Sequence, residues 1–289
     1  MKKSACQILF VAVSILFLSF NLSAQSPIAP VKFRLVKNYL IIVPVQINDT
    51  ETLEFLLDTG TNTSIIIPEV AAHLNLRPVD RIEMVTTVGS VIALRSFLPR
   101  LTFGGHSAVN TEVLWSDLSE LRRLDKRISG VLGQNFLAQF NFTLDFRQQR
   151  INLADNNQAD DNQFEEATRI PFENEDGQIL LTMKIGQKTC KLVLDSGASN
   201  LIIFASGYQK LQNQIELSNQ TAQLSTNAGG QSAQTGWLDR VQCGGKNLRR
   251  LQVALLNETA NRAADGLLPL SLFRSVYFNN QKGYVILNP

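Results

Sequence analysis

The chain lacks most of the residues that common catalytic chemistries require. It has only two histidines, His73 and His106, and neither lies near other residues that could ligate a metal. The G-x-S-x-G pattern of serine hydrolases and the G-x-x-x-x-G-K-[ST] pattern of nucleotide-binding loops are both missing. We therefore expect no metal and no cofactor, and we expect both histidines to lie at the surface or at a cap.

Long basic runs are also missing. The formal net charge is only +2, and the basic residues within 122–127 suit the exposed face of a short helix. We therefore expect no nucleic-acid partner. The hydrophobic fraction of 44% over 289 residues is sufficient for a complete core.

The most informative feature that is present is a segment that occurs twice. Residues 55–66 read FLLDTGTNTSII and residues 192–203 read LVLDSGASNLII, so Asp58 and Asp195 follow matching apolar runs 137 positions apart. The segments LPRLTFGG and LDRVQCGG follow in the same order at nearly the same offset. A repeat of this length indicates duplicated domains, because the units of solenoid proteins have only roughly 20–50 residues.

The repeat divides the chain into two lobes. Apolar, β-prone stretches separated by turn residues dominate both halves, which we place at 31–153 and 169–289. Few helices are expected: 68–76 begins with a proline, and 116–127 begins with a serine that suits an N-cap. The segment 154–168 is polar, acidic and unpatterned, which predicts a linker.

The first 24 residues have the composition of a cleaved signal peptide. Two lysines precede an apolar segment at 8–20, and small residues before Gln25 provide a cleavage site. The apolar segment is shorter than the roughly 17–25 residues that span a bilayer, although an uncleaved anchor remains the alternative. We expect a periplasmic or secreted protein with no stable membrane insertion after cleavage.

Export has consequences for the cysteines. Cys6 would leave with the signal, whereas Cys190 and Cys243 would enter an oxidising compartment. In the repeat these two residues align with Leu53 and Phe103. If that apolar pair is in contact in the first lobe, a disulfide replaces the contact in the second, and two free buried thiols are the alternative.

The two D-[TS]-G triplets after apolar strands resemble those of the aspartic protease family. The resemblance covers both lobes, and their length and paired hairpins are closer to retropepsin-like domains in tandem than to pepsin. It implies an all-β fold with few short helices, in which two homologous β-barrel lobes form a pseudo-twofold, bilobal protein. It also implies a polypeptide substrate and a monomer that acts as a pseudo-dimer, with one catalytic Asp, Asp58 or Asp195, from each lobe.

Paired carboxylates suit peptide hydrolysis for a physical reason. Two carboxyl groups about 3 Å apart cannot both ionise cheaply, so the pair holds one proton, as is known for aspartic proteases in general. The ionised member can take a proton from water, and the protonated member can donate a hydrogen bond to the peptide carbonyl.

Residues beside each Asp are expected to support this chemistry. Gly60 and Gly197 permit close backbone approach and supply N–H groups. By resemblance, the hydroxyls of Thr59 and Ser196 bond across to the opposite loop and hold the carboxylates coplanar.

The two loops also differ in ways that bear on function. Thr61 can donate a hydrogen bond that favours the ionised form of Asp58, whereas Ala198 cannot do so for Asp195. The family's segment of two apolar residues and a glycine is matched by 131–133 in the first lobe. In the second lobe Pro269 replaces the glycine, so the second loop cannot be identical.

Each lobe has a candidate flap between its acidic turn and its Gly-Gly turn. The two β-prone runs at 84–97 and the looser version at 225–237 each surround a glycine. An ordinary surface hairpin is the alternative in both lobes. The candidate flap residues are Val88, Gly89, Ser90, Ala228, Gly229 and Gly230.

These features together predict an exported aspartic endopeptidase. Its active site would lie between the lobes and would use a water activated by Asp58 and Asp195. The alternative is a peptide-binding protein that keeps the fold without cleaving, which the Pro269 difference and the Gly-rich second flap leave open.

Overall fold

The computed structural model describes residues 29–87, 89–155, 164, 167–226, 229–256 and 263–288. The predicted signal peptide lies outside these residues, as does most of the predicted linker. Strands dominate the described residues, as the sequence predicted, and the helices are short. No helix within the described ranges is long and apolar enough to cross a membrane.

The described residues of the first lobe form eleven strands and three helices. They are β1 (Val31–Lys32), β2 (Arg34–Val36), β3 (Leu40–Ile47), β4 (Glu51–Leu57), β5 (Ser64–Ile66), α1 (Pro68–His73), β6 (Asp80–Thr86), β7 (Gly89–Phe103), β8 (His106–Trp115), α2 (Ser119–Leu124), β9 (Ile128–Leu132), α3 (Gln134–Leu137), β10 (Phe140–Asp145) and β11 (Arg150–Asp155).

The second lobe repeats this order of elements. Its described elements are β12 (Ile170–Pro171), β13 (Glu173–Glu175), β14 (Gln178–Ile185), β15 (Lys188–Asp195), β16 (Leu201–Phe204), α4 (Ala205–Leu211), β17 (Ile215–Thr226), β18 (Gly229–Cys243), β19 (Lys246–Leu256), β20 (Gly266–Pro269), a 3₁₀ turn (Leu270–Leu272), β21 (Ser275–Asn279) and β22 (Tyr284–Leu287).

Each lobe closes a six-stranded barrel. In the first lobe the strand order is β3-β4-β9-β5-β8-β7, and pairing of β7 with β3 closes it. In the second lobe the order is β14-β15-β20-β16-β19-β18, closed by β14 and β18. Closure buries both apolar runs that flank each Asp. These runs form β4, β5, β15 and β16, and each of these strands is paired with a neighbouring strand on both sides.

A third sheet joins the lobes. Its order is β1-β11-β10-β21-β22-β12, and its centre is the antiparallel pair β10 and β21. Phe142 and Phe278, which are equivalent in the repeat, face each other there with ring centroids 4.4 Å apart and nearly parallel planes. The pseudo-twofold axis therefore passes between these two buried rings, and each lobe completes the other's sheet.

The helices and the linker begin and end differently from the sequence prediction. The helix α1 starts at Pro68 as expected but ends at His73. The helix α2 starts at Ser119, because the backbone N–H of Ser116, the predicted N-cap, donates to Ile66 O and so extends the pairing of β5. The strand β11 runs to Asp155, so the first two residues of the predicted linker belong to a strand.

The predicted disulfide is wrong in this structure. Cys190 and Cys243 are both free and buried. Cys190 pairs with Met183 on β14, and the neighbouring Lys184 pairs on its other side with Gln242. A whole strand thus separates the two cysteines, which places their Cα atoms two strand spacings apart, roughly 9–10 Å. A disulfide requires less than about 7 Å.

Both thiols should therefore be present but unreactive in the native protein. Burial raises the pKa of Cys190 to about 11 and that of Cys243 to about 12, so neither is a thiolate at neutral pH. In protein that begins after residue 24 and is purified without reductant, Ellman's reagent should label no thiol before unfolding and two after it. Unfolded protein without any reactive thiol would instead show that the bridge exists.

Candidate active site

Each Asp lies at the end of a buried barrel strand. Asp58 directly follows β4, and its backbone N–H donates to Leu132 O of β9 at 3.0 Å. Asp195 is the last residue of β15 and pairs with Pro269 of β20. In both lobes a strand from the end of the barrel sequence lies parallel to the Asp strand, so the Asp turn projects from fixed backbone.

Four hydrogen bonds tie the two Asp turns together. The backbone N–H of Thr59 donates to Ser196 Oγ at 3.0 Å, and the N–H of Ser196 donates to Thr59 Oγ1 at 3.0 Å. Thr59 Oγ1 donates to Leu194 O, and Ser196 Oγ donates to Leu57 O, each at 2.8 Å. Both hydroxyl residues are buried. The arrangement is reciprocal, as the resemblance implied.

The two carboxyl groups meet between the lobes but have different hydrogen-bond donors. Asp58 Oδ1 accepts from Gly60 N at 2.9 Å, and its Oδ2 accepts from Thr61 Oγ1 at 2.7 Å. Asp195 Oδ1 accepts from Gly197 N at 2.7 Å and from Ala198 N at 3.1 Å. Asp58 thus accepts one bond from a hydroxyl side chain, whereas these two donors to Asp195 are both backbone N–H groups.

The glycines are required by the closeness of the opposite carboxyl group. A Cβ atom on Gly60 would lie 2.7 Å from the carboxyl carbon of Asp195. A Cβ atom on Gly197 would lie 3.0 Å from Oδ2 of Asp58. Any larger residue at Gly60 would displace the Asp195 carboxyl group, so the close approach of the two Asp loops requires glycine there.

Asp195 is the carboxyl group that retains a proton most strongly. Burial raises its pKa well above the usual range, and the negative charge of Asp58 and a hydrogen bond with it raise the pKa further. The N–H groups of Gly197 and Ala198 oppose these effects without overcoming them. Asp58 is partly buried, whereas Asp195 is only 8% exposed. The pair is thus asymmetric, with the proton favoured on Asp195.

A polar network beneath the first Asp loop was missed from the sequence. Ser64 Oγ donates to Asn135 Oδ1 at 2.7 Å and accepts from Gly133 N at 3.0 Å. Gln134 Nε2 donates to Thr59 O at 3.0 Å. The only signal was the Gln-Asn pair directly after Gly133, which composition alone does not connect with the loop.

The second lobe replaces this network with apolar residues. Leu201 occupies the position of Ser64, Pro269 that of Gly133, and Leu270 that of Gln134. Pro269 has no N–H and cannot donate the bond that Gly133 donates to Ser64 Oγ. No acceptor is left unpaired as a result, because Leu201 stands where the first lobe has Ser64. The replacement of glycine by Pro269 thus accompanies the replacement of serine by Leu201. The Asp195 loop still keeps its bonds to Thr59.

Hairpin turns that cross between the lobes were also missed. The turn before β14 reaches the first Asp loop: Asn62 Nδ2 donates to Asp176 O at 2.7 Å, and Gln178 Nε2 donates to Gly60 O at 2.9 Å. In the other direction Tyr39 bonds to Ser199. Burial raises the pKa of Tyr39, the Ser199 bond lowers it, and Asp195 raises it.

The candidate flaps are hairpins in both lobes. Thr86 pairs with Gly89 at the end of the first hairpin, and β17 pairs with β18 as far as Gly229 in the second. Gly89, Ser90 and Gly230 are exposed. Val88 and Ala228 lie outside the described residues, and the substrate-covering role of both hairpins stays a prediction.

The histidines lie apart from this site. His73 is exposed on α1, as expected, but His106 is buried with its ring 4.7 Å from that of Phe140, so the surface prediction was wrong for His106. No group of three or more His, Cys, Asp and Glu side chains that could hold a metal occurs in the described part of the chain.

The raised pKa of Asp195 predicts a pH-dependent cost in stability. Because the folded pKa exceeds the unfolded value of about 3.9, the stabilisation by protonated Asp195 is complete below that pH and is lost as the pH rises through the folded pKa. Asp195→Asn should therefore melt a few degrees above wild type at pH 7, where about 1 kcal/mol corresponds to 2–4 °C. The difference should shrink towards pH 4.

The control for this measurement is Asp239→Asn, which removes an exposed carboxylate on β18. Its melting temperature should follow that of wild type at every pH. An Asp195→Asn variant that melts below wild type at pH 7 would contradict the proposed strain in the carboxyl pair.

Comparison with known families assigns both lobes. A family of aspartyl proteases matches residues 43–136, and a family of gag-polyprotein putative aspartyl proteases matches residues 181–275. Comparison with curated proteins gives no match. Each family match contains one Asp turn, and together the two matches cover well over half of the chain. The chain therefore belongs to the aspartyl protease family and consists of two retropepsin-like domains in tandem.

Proposed function

We propose that this protein is an exported aspartic endopeptidase whose catalytic pair is Asp58 and Asp195. The observation that supports the proposal best is the pair itself: two carboxyl groups in contact, fixed by reciprocal hydrogen bonds between Thr59 and Ser196, with the proton favoured on one of them. A merely structural pair of carboxyl groups would gain nothing from this costly arrangement.

The asymmetry of the pair suggests a role for each carboxyl group. Ionised Asp58, which accepts hydrogen bonds from Gly60 and Thr61, would take a proton from a water that attacks the peptide carbonyl. Protonated Asp195 would donate a hydrogen bond to the carbonyl oxygen as negative charge develops there. The attack forms the bond from water oxygen to carbonyl carbon. Collapse of the tetrahedral intermediate then breaks the C–N bond as the amine takes the proton that Asp58 removed from water.

Substrate binding would use the space between the lobes. An extended peptide can form backbone hydrogen bonds with hairpins on either side, which is the mode of strand addition. The flap residues Gly89, Ser90, Gly229 and Gly230 are the candidates for these contacts. Export to the periplasm or beyond is proposed from residues 1–24 alone.

The non-cleaving alternative finds little support in the geometry. It depended on Pro269 and on the second flap. Pro269 is matched by Leu201 and leaves Asp195 bonded to Gly197 and Ala198. The second loop thus keeps the donors that the proposed reaction requires.

The central test is substitution of each carboxyl group by its amide. Asp58→Asn and Asp195→Asn should each reduce kcat for cleavage of an unfolded protein at acidic pH by about 10³-fold or more, because neither carboxyl can perform both proton transfers. The double variant should be little worse than either single one, since the two groups act as a unit.

Asp239→Asn is the matched control and should retain wild-type turnover. Circular dichroism of each variant should confirm that the fold is intact. If either active-site amide variant keeps most of its turnover, the proposed mechanism is wrong. If the wild type binds unfolded peptides across the whole pH range without cutting them, the protein is a peptide-binding member of the fold.

The bond from Thr61 to Asp58 generates a second test. Thr61→Ala removes the donor that favours ionised Asp58, so the acidic limb of kcat/KM against pH should move to higher pH by roughly one unit. Thr63→Ala, two residues further along the same loop, should leave the profile unchanged. A uniform loss of activity without movement of the limb would assign Thr61 only a structural role.

A further inference from the structure

The outer surface of the second-lobe barrel has a cluster of basic residues away from the catalytic cleft. Arg240 of β18 lies directly opposite Arg249 of β19. Lys184 of β14 lies opposite Gln242, two positions further along β18. Directly opposite residues point to the same side of a sheet. These four side chains are exposed, whereas Val241, between Arg240 and Gln242, is buried. The three cations therefore point outward together.

A fourth cation and an aromatic ring extend this surface. The guanidinium of Arg250 lies over the ring of Trp237, 5.6 Å from its centroid, and Trp237 is partly exposed. Two exposed carboxylates are nearby: Asp239 precedes Arg240 on β18, and Glu216 lies opposite Trp237 on β17. Cations still outnumber carboxylates two to one. We call the four cations the basic face; they are Lys184, Arg240, Arg249 and Arg250.

The first lobe has no such cluster at the equivalent positions, which the matching register of β3, β7 and β8 identifies. These positions are Gln46, Arg100, Val109 and Asn110. The single cation among them, Arg100, forms an ion pair of 3.2 Å with Asp49 in the turn after β3. The corresponding turn after β14 consists of Gly186 and Gln187 and has no carboxylate. The second lobe thus has three more cations than the first at the same four positions.

Two features of the basic face destabilise the folded chain. Like charges that lie directly opposite on neighbouring strands repel each other, as Arg240 and Arg249 do. Arg250 has a φ of 49°, in the left-handed region, where its first-lobe equivalent Asn110 has a φ of 51°. Asparagine tolerates this conformation better than a long side chain does. Because the three arginines are exposed, burial does not offset these effects, which favours an external ligand of opposite charge.

The surroundings of the basic face select an anionic lipid surface as that ligand. The strands β14, β18 and β19 are each paired on both sides, so no free edge can bind a peptide as an added strand. A partly exposed tryptophan beside cations is typical of surfaces that meet lipid head groups. Export, which residues 1–24 predict, would bring the protein to a bilayer and keep it apart from nucleic acid.

We propose that the basic face binds the surface of a membrane that contains anionic phospholipids, with Trp237 at the level of the head groups. The contact is peripheral, and no segment crosses the bilayer. Lys184 pairs with Thr189, six positions before Asp195 on β15, so the face lies roughly 20 Å from the catalytic pair along the strand. Binding therefore leaves the cleft accessible. The proposal does not depend on the proposed peptidase activity.

The test measures co-sedimentation of the chain from residue 25 onward with two kinds of vesicle. One contains phosphatidylcholine alone, and the other also contains phosphatidylglycerol. The mixed vesicles should bind the protein, and binding should weaken as salt is added. Arg240→Gln with Arg249→Gln should lower the partition coefficient by about tenfold or more, because each cation near an anionic surface strengthens binding several-fold.

Tryptophan fluorescence identifies the part of the protein that meets the lipid. The chain has two tryptophans, so Trp115→Phe leaves Trp237 as the single emitter. Its emission should shift to shorter wavelength on mixed vesicles, and lipids with brominated acyl chains should quench it. This readout would not change if a soluble anion bound the same arginines.

The matched control is Arg147→Gln with Arg274→Gln. These two arginines are exposed beside β10 and β21 of the sheet that joins the lobes, and their removal changes the net charge by the same amount. The control should bind mixed vesicles within about twofold of the parent. Melting curves should show that both double variants are folded.

Four results would overturn the proposal. Equal loss in both double variants would indicate general attraction of vesicles to a basic protein. Equal binding to neutral and mixed vesicles would remove the role of the cations. Unchanged emission of Trp237 in vesicle-bound protein would show that another surface meets the lipid. If the protein does not bind mixed vesicles but binds soluble polyglutamate through Arg240 and Arg249, the face recognises an acidic polymer and not a membrane.

Discussion

The reciprocal hydrogen bonds between Thr59 and Ser196 are the constraint on which the candidate site depends. Two carboxyl groups in contact repel each other when both ionise, and burial strengthens the repulsion. Separation of the lobes would relieve it, but each buried hydroxyl has its acceptor, Leu194 O or Leu57 O, in the opposite lobe. Moving the lobes apart would leave buried polar groups unpaired, so sharing one proton is the response that remains.

The rest of the interface repeats this exchange between lobes. The joint sheet pairs β10 with β21 across the pseudo-twofold axis, and the rings of Phe142 and Phe278 fill its centre. The turn at Asp176 contacts the first Asp loop, and Tyr39 contacts the second. Each lobe therefore completes buried structure in the other, which explains how a strained pair of carboxyl groups can lie at their boundary.

The sequence predicted what depends on local pattern and missed what depends on contacts between distant segments. The Asp turns and the strands around them were recognised because a buried strand, a turn and a second buried strand are encoded within about a dozen residues. The prediction of a disulfide failed because the alignment of Cys190 and Cys243 with Leu53 and Phe103 shows which positions are equivalent. It does not show that a strand, β14, lies between the two cysteines. The contacts of Gln178 and Asn135 were missed because single polar residues give no periodic signal. The start of α2 was misplaced because the backbone N–H of Ser116 bonds to Ile66 O at the end of β5, which the local sequence does not indicate.

Duplication within one chain gives the pair a property that a symmetric dimer lacks. In a dimer of identical subunits both carboxyl groups have the same surroundings, so neither can be assigned one role by sequence. Here the first loop keeps Thr61, Ser64 and a polar layer, whereas the second has Ala198, Leu201 and Pro269. Hydrogen-bond donors favour the ionised form and apolar burial favours the protonated form. The differences between the lobes therefore act in one direction: they favour a charge on Asp58 and a proton on Asp195.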